Sequence, residues 1–147
     1  MWGIMMFENE DKFPNKNEYV CPPNNASSAH GKTLYKLNNQ LEIPSDYLKP
    51  MIQKGNRPFK TGKDKCLACG HSIFENIEDI KKTYKKIKKL AKPFHKEWKY
   101  IVSFEGSSGS KFLKTPSKSN KYHCTYWHFG SEILNYRFVH ELEEGND

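Results

Sequence analysis

The sequence predicts a single α+β domain in which one basic amphipathic helix packs on a small antiparallel sheet, preceded by long N-terminal loops. Two observations carry this prediction. Apolar residues recur at helical spacing between Asn76 and Lys92, and several strand-like runs follow, the last two on either side of Gly130-Ser131. A chain of 147 residues suits one domain, and an aromatic content of 14% predicts a folded core although apolar residues reach only 36%.

The first part of the chain is expected to be mostly loop. Residues 1–20 are polar and net acidic, which predicts a flexible N-terminal arm before a domain at residues 21–147. The apolar run at residues 1–7 is short and lacks a basic leader, so neither a signal peptide nor a membrane span is expected, and a cytoplasmic location is favoured. Thr33–Leu37 is a short candidate strand, whereas several prolines and a glycine prevent any long element between Leu41 and Lys65.

The stretch Cys66-Leu-Ala-Cys69-Gly70-His71 has the form of a zinc knuckle. Two thiolates on a tight turn supply half of a tetrahedral site, and Gly70 permits the left-handed backbone that such a turn uses. Cys21, His30, His123 or Cys124 would have to complete the site. The sequence therefore leaves three readings of this pair open: one structural zinc, two ordinary reduced cysteines with no cofactor, or a redox pair.

The helix expected from Asn76 to Lys92 ends before Pro93 and carries a strongly basic face. The helix has no acidic residue between Asp79 and Lys92, so its lysines lack acidic partners one turn away that would neutralise them. A polyanion would relieve this repulsion, which predicts phosphate contacts from the lysines of this face: Lys81, Lys82, Lys85, Lys86, Lys88, Lys89 and Lys92.

The net charge of +7 is concentrated in the middle of the chain. From Lys49 to Tyr100 there are fifteen Lys or Arg against five acids, whereas both ends of the chain are net acidic. Such a distribution favours RNA or DNA as a partner. An acidic protein partner and a simple solvated lysine face remain the alternatives.

Gly130-Ser131 predicts a type II′ hairpin that joins the last two strands. In that register, Trp127, Tyr136 and Phe138 point toward the core. Tyr126, His128 and Arg137 lie on the other face, which mixes aromatic with charged groups and suggests a working surface. The same register sets Cys124 opposite Arg137, where its thiol pKa would fall and the thiol would be a nucleophile; the alternative is a small buried apolar residue.

The residues of this surface suit phosphate chemistry. Arg137 would stabilise a charged phosphorane, and His128 or Tyr126 would move protons. Each has a plainer alternative: Arg137 pairs with an acidic residue of the C-terminal tail, His128 is a polar strand end, and Tyr126 stacks on a base or merely covers the sheet.

Four landmarks, in this order along the chain, resemble a family of small bacterial proteins that has no assigned activity: Cys21-Pro-Pro, Leu34-Tyr-Lys-Leu37, Cys66-Leu-Ala-Cys-Gly-His-Ser-Ile-Phe74 and His123-Cys-Thr-Tyr-Trp-His-Phe129. A looser resemblance is to bacterial toxin ribonucleases of the RelE kind, in which basic helices precede an antiparallel sheet that bears Arg, Tyr and His. The basic helix, Pro93-Phe94 and the closing strands fit that pattern, whereas the first 70 residues do not.

These observations support three functions and leave open whether the chain is an enzyme. The first is a nucleic-acid-binding protein, with RNA favoured, of a bacterial or phage toxin or defence type. The second is a metal-independent endoribonuclease, and the third is an interaction module for an acidic protein.

Overall fold

The computed structural model describes residues 6–38, 50–53, 59–90, 100–117, 120–130 and 134–141. Within these ranges the chain forms an α+β fold, as the sequence predicts. In chain order, the elements are a 3₁₀ turn at Glu10–Lys12, β1 (Ser27–Ser28), β2 (Thr33–Asn38), a 3₁₀ turn at Met51–Gln53, α1 (Gly62–Ala68), β3 (His71–Ile73), α2 (Ile77–Leu90), β4 (Tyr100–Glu105), β5 (Lys111–Lys114), β6 (Cys124–Trp127) and β7 (Arg137–Glu141).

The strands form two antiparallel sheets that share one core. One sheet has the strand order β1-β5-β6-β3, and the other has the order β2-β4-β7. Leu34 and Phe104 of the three-stranded sheet pack with Ile73, Phe112 and Tyr126 of the four-stranded sheet in one buried cluster. The inner face of the three-stranded sheet is therefore the one that carries Leu34 and Phe104.

Helix α2 covers the opposite, outer face of the three-stranded sheet. Ile80 of α2 is buried against Ile101 of β4, and Tyr35 of β2 packs on the same cluster. The Asn76 side chain caps the helix by accepting a hydrogen bond of 2.9 Å from the backbone N–H of Asp79. This arrangement is the expected packing of an amphipathic helix on an antiparallel sheet.

The predicted hairpin between β6 and β7 is wrong. Strand β6 pairs with β3 on one edge and with β5 on the other, and β7 pairs with β4 of the other sheet. Because both edges of β6 are paired, no edge is left for β7, and all four β6 residues are buried. Tyr126, expected at the surface, is fully buried, whereas Phe138, expected in the core, is 49% exposed.

The described part of the N-terminal segment packs on the domain. Phe7 forms a β-bridge with Phe129, and the two rings meet edge to face at 4.9 Å. The backbone N–H of Glu8 donates to the carbonyl oxygen of His128 at 2.8 Å. The N-terminal segment thereby extends the four-stranded sheet region beside the end of β6.

No helix in the described ranges combines the length and the apolar character needed to cross a bilayer.

Candidate active site

The turn that joins β4 to β5, Gly106–Ser110, is fixed by close contacts. A Cβ at Gly106 would collide with the backbone carbonyl of Ala29, and Gly109 has a φ of +87°, which disfavours other residues. The hydroxyl of Ser110 donates to the carbonyl oxygen of Ser107 at 2.6 Å. The turn therefore holds Ser107 in one place, next to the end of β6.

Ser107, Tyr126 and His128 form a buried hydrogen-bond network. The backbone N–H of Ser107 donates to the Tyr126 hydroxyl oxygen at 3.2 Å, and that hydroxyl lies 2.8 Å from Nδ1 of His128. The hydroxyl of Ser107 donates to the carbonyl oxygen of Phe129 at 2.7 Å. His128 is only 5% exposed, and its Nδ1 is hydrogen-bonded to the Tyr126 hydroxyl, so the ring is held in one orientation.

A cavity of about 400 Å³ lies beside this network. Its lining comes from both sheets and is mainly polar, with a cation, a carboxylate, an imidazole, hydroxyls and an amide. The lining residues with such side chains are Thr33, Ser103, Glu105, Ser107, His128, Asn135 and Arg137. A volume of this size is within the range of small-ligand sites.

Strand register places the charged lining residues on the outer face of the three-stranded sheet. Arg137 of β7 is opposite Ser103 of β4, and Glu105, two residues further along β4, is opposite Thr33 of β2. Tyr35, opposite Ser103 on β2, shares that face and packs in the cluster under α2. These positions share the sheet face on which α2 packs, whereas Phe104 and Leu134, which also line the cavity, belong to the cluster between the two sheets.

The structure brings two of the three predicted catalytic residues to one cavity. His128 and Arg137 both line it, although the register that suggested them is wrong. Tyr126 is fully buried and does not line the cavity, but its hydroxyl contacts the lining residues His128 and Ser107. Glu105 and Ser107 were not predicted, because no local pattern shows that the β4–β5 turn meets the end of β6.

Helix α2 contains six of the seven lysines expected to contact phosphate, and Lys92 lies outside the described residues. Nζ of Lys81 is 3.9 Å from a carboxylate oxygen of Glu78. Nζ of Lys82 lies 5.5 Å from the ring centroid of Tyr122. Lys81 is partly exposed and Lys82 is exposed, so both can reach a ligand in solvent.

The zinc knuckle is wrong in its first ligand, because Cys66 forms a disulfide with Cys21. Cys69 is a buried thiol, and burial raises its pKa to about 11 against the opposing charges of Lys65 and Lys12. Gly70 is not left-handed; it lies where a Cβ would be 2.5 Å from Cγ2 of Thr125. Among the residues whose positions are described, no group of three or more His, Cys, Asp or Glu side chains is arranged to hold a metal ion.

The expected activation of Cys124 by Arg137 is also wrong. Cys124 is paired with Ile73 and Lys114, and burial raises the pKa of its thiol to about 11. A thiol in this state is a small apolar core group.

A second buried polar group was not foreseen in the sequence. Nε2 of His71 is 2.6 Å from a carboxylate oxygen of Glu8, and its Nδ1 is 3.3 Å from Nζ of Lys36. Lys36 and His71 are each 3% exposed. Burial raises the pKa of Glu8, but the hydrogen bond and charge of His71, with the charges of His128 and Lys36, outweigh this and lower it.

No protein-family model, curated protein or solved structure matches the chain.

Proposed function

We propose that this chain binds RNA and cleaves it as a metal-independent endoribonuclease. The observation that carries the proposal is the shared cavity of Arg137 and His128. Metal-free cleavage of a phosphodiester needs a cation for the charge that develops on phosphorus and a group that exchanges protons near neutral pH. Guanidinium and imidazole side chains are suited to these two tasks.

The two groups differ in exposure in a way that fits these tasks. Arg137 is exposed on an outer strand, where its planar guanidinium can meet an incoming phosphate with two parallel hydrogen bonds. His128 is almost buried and is held by Tyr126, so its ring has little freedom once a ligand arrives. A phosphate that reaches Arg137 would then meet an imidazole that is already oriented.

The lysine-rich helix supports the choice of a polyanion. Helix α2 packs on the sheet face that carries Arg137, so an RNA strand that contacts α2 can also reach the guanidinium of Arg137. Lysines contact phosphates without reading bases, so this part of the binding should not depend on sequence. Such an enzyme would act in the cytoplasm and would suit a bacterial or phage toxin or defence role.

The first test is fluorescence anisotropy of labelled RNA and DNA over a salt series, followed by a denaturing gel of the same samples. We expect RNA binding with a steep dependence on salt, and shortened RNA on the gel. Intact RNA after binding would reject the nuclease and leave a binding protein. No RNA binding even at low salt would reject the proposal and favour an acidic protein partner.

Arg137→Gln tests the phosphate contact. Removing the guanidinium should weaken RNA binding at every sequence and reduce the log–log salt slope by about 0.7. Lys16→Gln is the matched control, because it also removes one exposed positive charge but lies outside the cavity lining. Equal effects of the two substitutions would mean that Arg137 contributes only to the net charge.

A further inference from the structure

The cavity presents a guanidinium and a carboxylate side by side. Arg137 and Glu105 are both exposed, and neither side chain makes a hydrogen bond or an ion pair with another residue that the structure describes. Ser103 is opposite Arg137, and Glu105 lies two residues further along β4. The two charged positions are therefore diagonal across β4 and β7, about 7–8 Å apart on one sheet face. A ligand that reaches the guanidinium thus also meets the carboxylate.

The backbone that carries Glu105 is held in place where β4 ends. The backbone N–H of Gly106 donates to the carbonyl oxygen of Lys32 at 2.8 Å, and the carbonyl oxygen of Gly106 accepts from the N–H of Gly31 at 3.0 Å. Glu105 itself is paired with Thr33 of β2. The carboxylate therefore extends from a fixed point of the sheet, which suits a group that selects a ligand.

A carboxylate beside a phosphate site weakens the binding of every phosphate there, because like charges repel. This repulsion is offset by a ligand that donates hydrogen bonds to the carboxylate. In RNA, the phosphates offer no donor, the 2′-hydroxyl offers one, and a base edge can offer two adjacent ones. If Arg137 holds a phosphate, Glu105 is therefore suited to a base. Such a pair of charges binds one base while it disfavours the others.

Guanine matches a carboxylate best among the four bases. Its N1–H and N2–H lie side by side on one edge, so each carboxylate oxygen accepts one hydrogen bond. Adenine and cytosine offer one amino group beside a lone-pair nitrogen, which would face the second carboxylate oxygen. Uracil offers one N–H between two carbonyl oxygens. The other three bases therefore leave one carboxylate oxygen without a donor, and this costs binding free energy.

We propose, on the basis of the endoribonuclease function above, that the cavity selects guanine and that Glu105 is the residue that determines this specificity. Arg137 binds a phosphate, and the carboxylate of Glu105 accepts hydrogen bonds from N1–H and N2–H of a neighbouring guanine. Helix α2 packs on the sheet face that carries both residues. Its lysines bind further phosphates without preference for a base, so the selectivity comes from Glu105.

The first test uses four RNA strands that differ at one central nucleotide in an otherwise all-uridine sequence, and it measures both affinity and cleavage. We expect the guanosine strand to be preferred by about 5–150-fold, the discrimination of one bidentate pair. Cleavage with no preference among the four strands would overturn the inference while the nuclease itself stood. If no strand is cleaved, the function proposed above fails, and equal affinities would then overturn guanine selection as well.

Base analogues in the same strand show which edge of guanine is bound. Inosine lacks the N2 amino group and keeps N1–H, whereas 7-deazaguanosine is altered only on the opposite edge. We expect inosine to lose part of the preference and 7-deazaguanosine to keep it. The reverse result would show that the protein contacts the other edge, and it would overturn the role of Glu105. This test uses the wild-type protein, so it does not depend on the folding of a variant.

Glu105→Gln tests the residue directly, because it exchanges one acceptor for a donor. The Gln amide accepts from the amino group of adenine or cytosine and donates to the adjacent ring nitrogen, so the preference should move from guanosine to these two bases. Glu141→Gln removes an exposed carboxylate outside the cavity lining and should keep the wild-type preference. A Glu105→Gln protein that still prefers guanosine would exclude Glu105 as the selecting residue. An equal gain for all four strands would show that its carboxylate only repels phosphates.

Discussion

At the level of residues, three ionisable side chains are in contact in a largely buried group: Glu8, His71 and Lys36. The carboxylate of Glu8 is about one-third exposed, whereas His71 is almost fully enclosed between it and Lys36. A buried imidazole between a cation and a carboxylate needs both neighbours for its hydrogen bonds. Because Glu8 also donates its backbone N–H to His128, this triad links the N-terminal segment to the candidate active site.

The lowered pKa of Glu8 predicts a pH-dependent contribution to stability. A carboxyl group whose pKa is lower in the folded protein stabilises the fold fully above its ordinary value of 4.5, and this contribution is lost as the pH falls through the lowered value. Urea unfolding at several pH values would measure it. Glu8→Gln should reduce the free energy of unfolding most above pH 4.5, and the difference from wild type should shrink in more acidic solution.

Glu18→Gln is the control, since Glu18 is exposed. A difference between wild type and Glu8→Gln that stays constant down to the most acidic solution would contradict the assignment, because it would show that the carboxylate charge of Glu8 is not what stabilises the fold.

At this scale, sequence reasoning identified His128 and Arg137 as candidates but not their neighbours. Both have chemistry-bearing side chains in strand-like runs near the end of the chain, which is visible without a structure. Glu105 and the pair of Glu8 with His71 become meaningful only when distant segments meet. No spacing in the sequence encodes those meetings.

At the level of elements, helix α1 and strand β6 approach each other closely where α1 ends. Gly70 follows this helix and leads into β3, and a Cβ there would lie 2.5 Å from Cγ2 of Thr125 and 2.9 Å from the carbonyl oxygen of Tyr126. The indole N–H of Trp127 donates to the carbonyl oxygen of Cys66 at 3.0 Å. These contacts seat the end of α1 directly on β6.

Gly70→Ala should therefore lower the free energy of unfolding by about 1–3 kcal/mol, because the added methyl group overpacks a buried contact. Chemical denaturation measures the change. Ser72→Ala provides a control on the neighbouring strand, where the side chain is exposed. A destabilisation smaller than that of the control would show that β6 can shift away from Gly70 at little cost.

The basic helix allows a second prediction at the level of elements. Replacing Lys85, Lys86, Lys88 and Lys89 of α2 by Gln should weaken RNA binding and reduce the salt slope by about 0.7 for each phosphate that the helix no longer neutralises. Folding should be retained, since Gln is a good helix former. Anisotropy against salt measures the effect, and the four exposed lysines Lys12, Lys16, Lys60 and Lys63 changed together provide a control for net charge.

Elements were predicted better than their partners. The expected helix from Asn76 to Lys92 is close to the observed Ile77–Leu90, because periodicity and Pro93 are local signals. The pairing of β7 with β4 was not predicted, because the turn signal at Gly130-Ser131 favours a hairpin between β6 and β7. Burial of β6 on both faces and both edges, which is a property of the tertiary fold, decided against it.

The whole molecule is expected to show two, not four, reactive thiols when it is unfolded without reductant. Cys21 and Cys66 are bonded to each other, which leaves Cys69 and Cys124. In the folded protein both should react slowly with alkylating reagents near pH 8, because burial raises their pKa values to about 11 and keeps the thiolate scarce. Thiol titration before and after denaturation and reduction measures both points.

Four reactive thiols in protein unfolded without reductant would contradict the disulfide and restore the cysteine pair as a metal-ligand candidate. The count has most value on protein taken directly from cells, because disulfides are uncommon in a reducing cytosol. It therefore also bears on the cytoplasmic location that the proposed function implies.

The bond between Cys21 and Cys66, 45 positions apart in the sequence, makes the backbone a covalent ring with two tails. Within that ring lies the whole of β2, one edge strand of the three-stranded sheet. In unfolded protein, a single peptide-bond cut inside the ring opens it but releases nothing, whereas a cut in either tail separates a fragment. One protease cut between Cys21 and Cys66 would thus release no fragment until the disulfide was reduced.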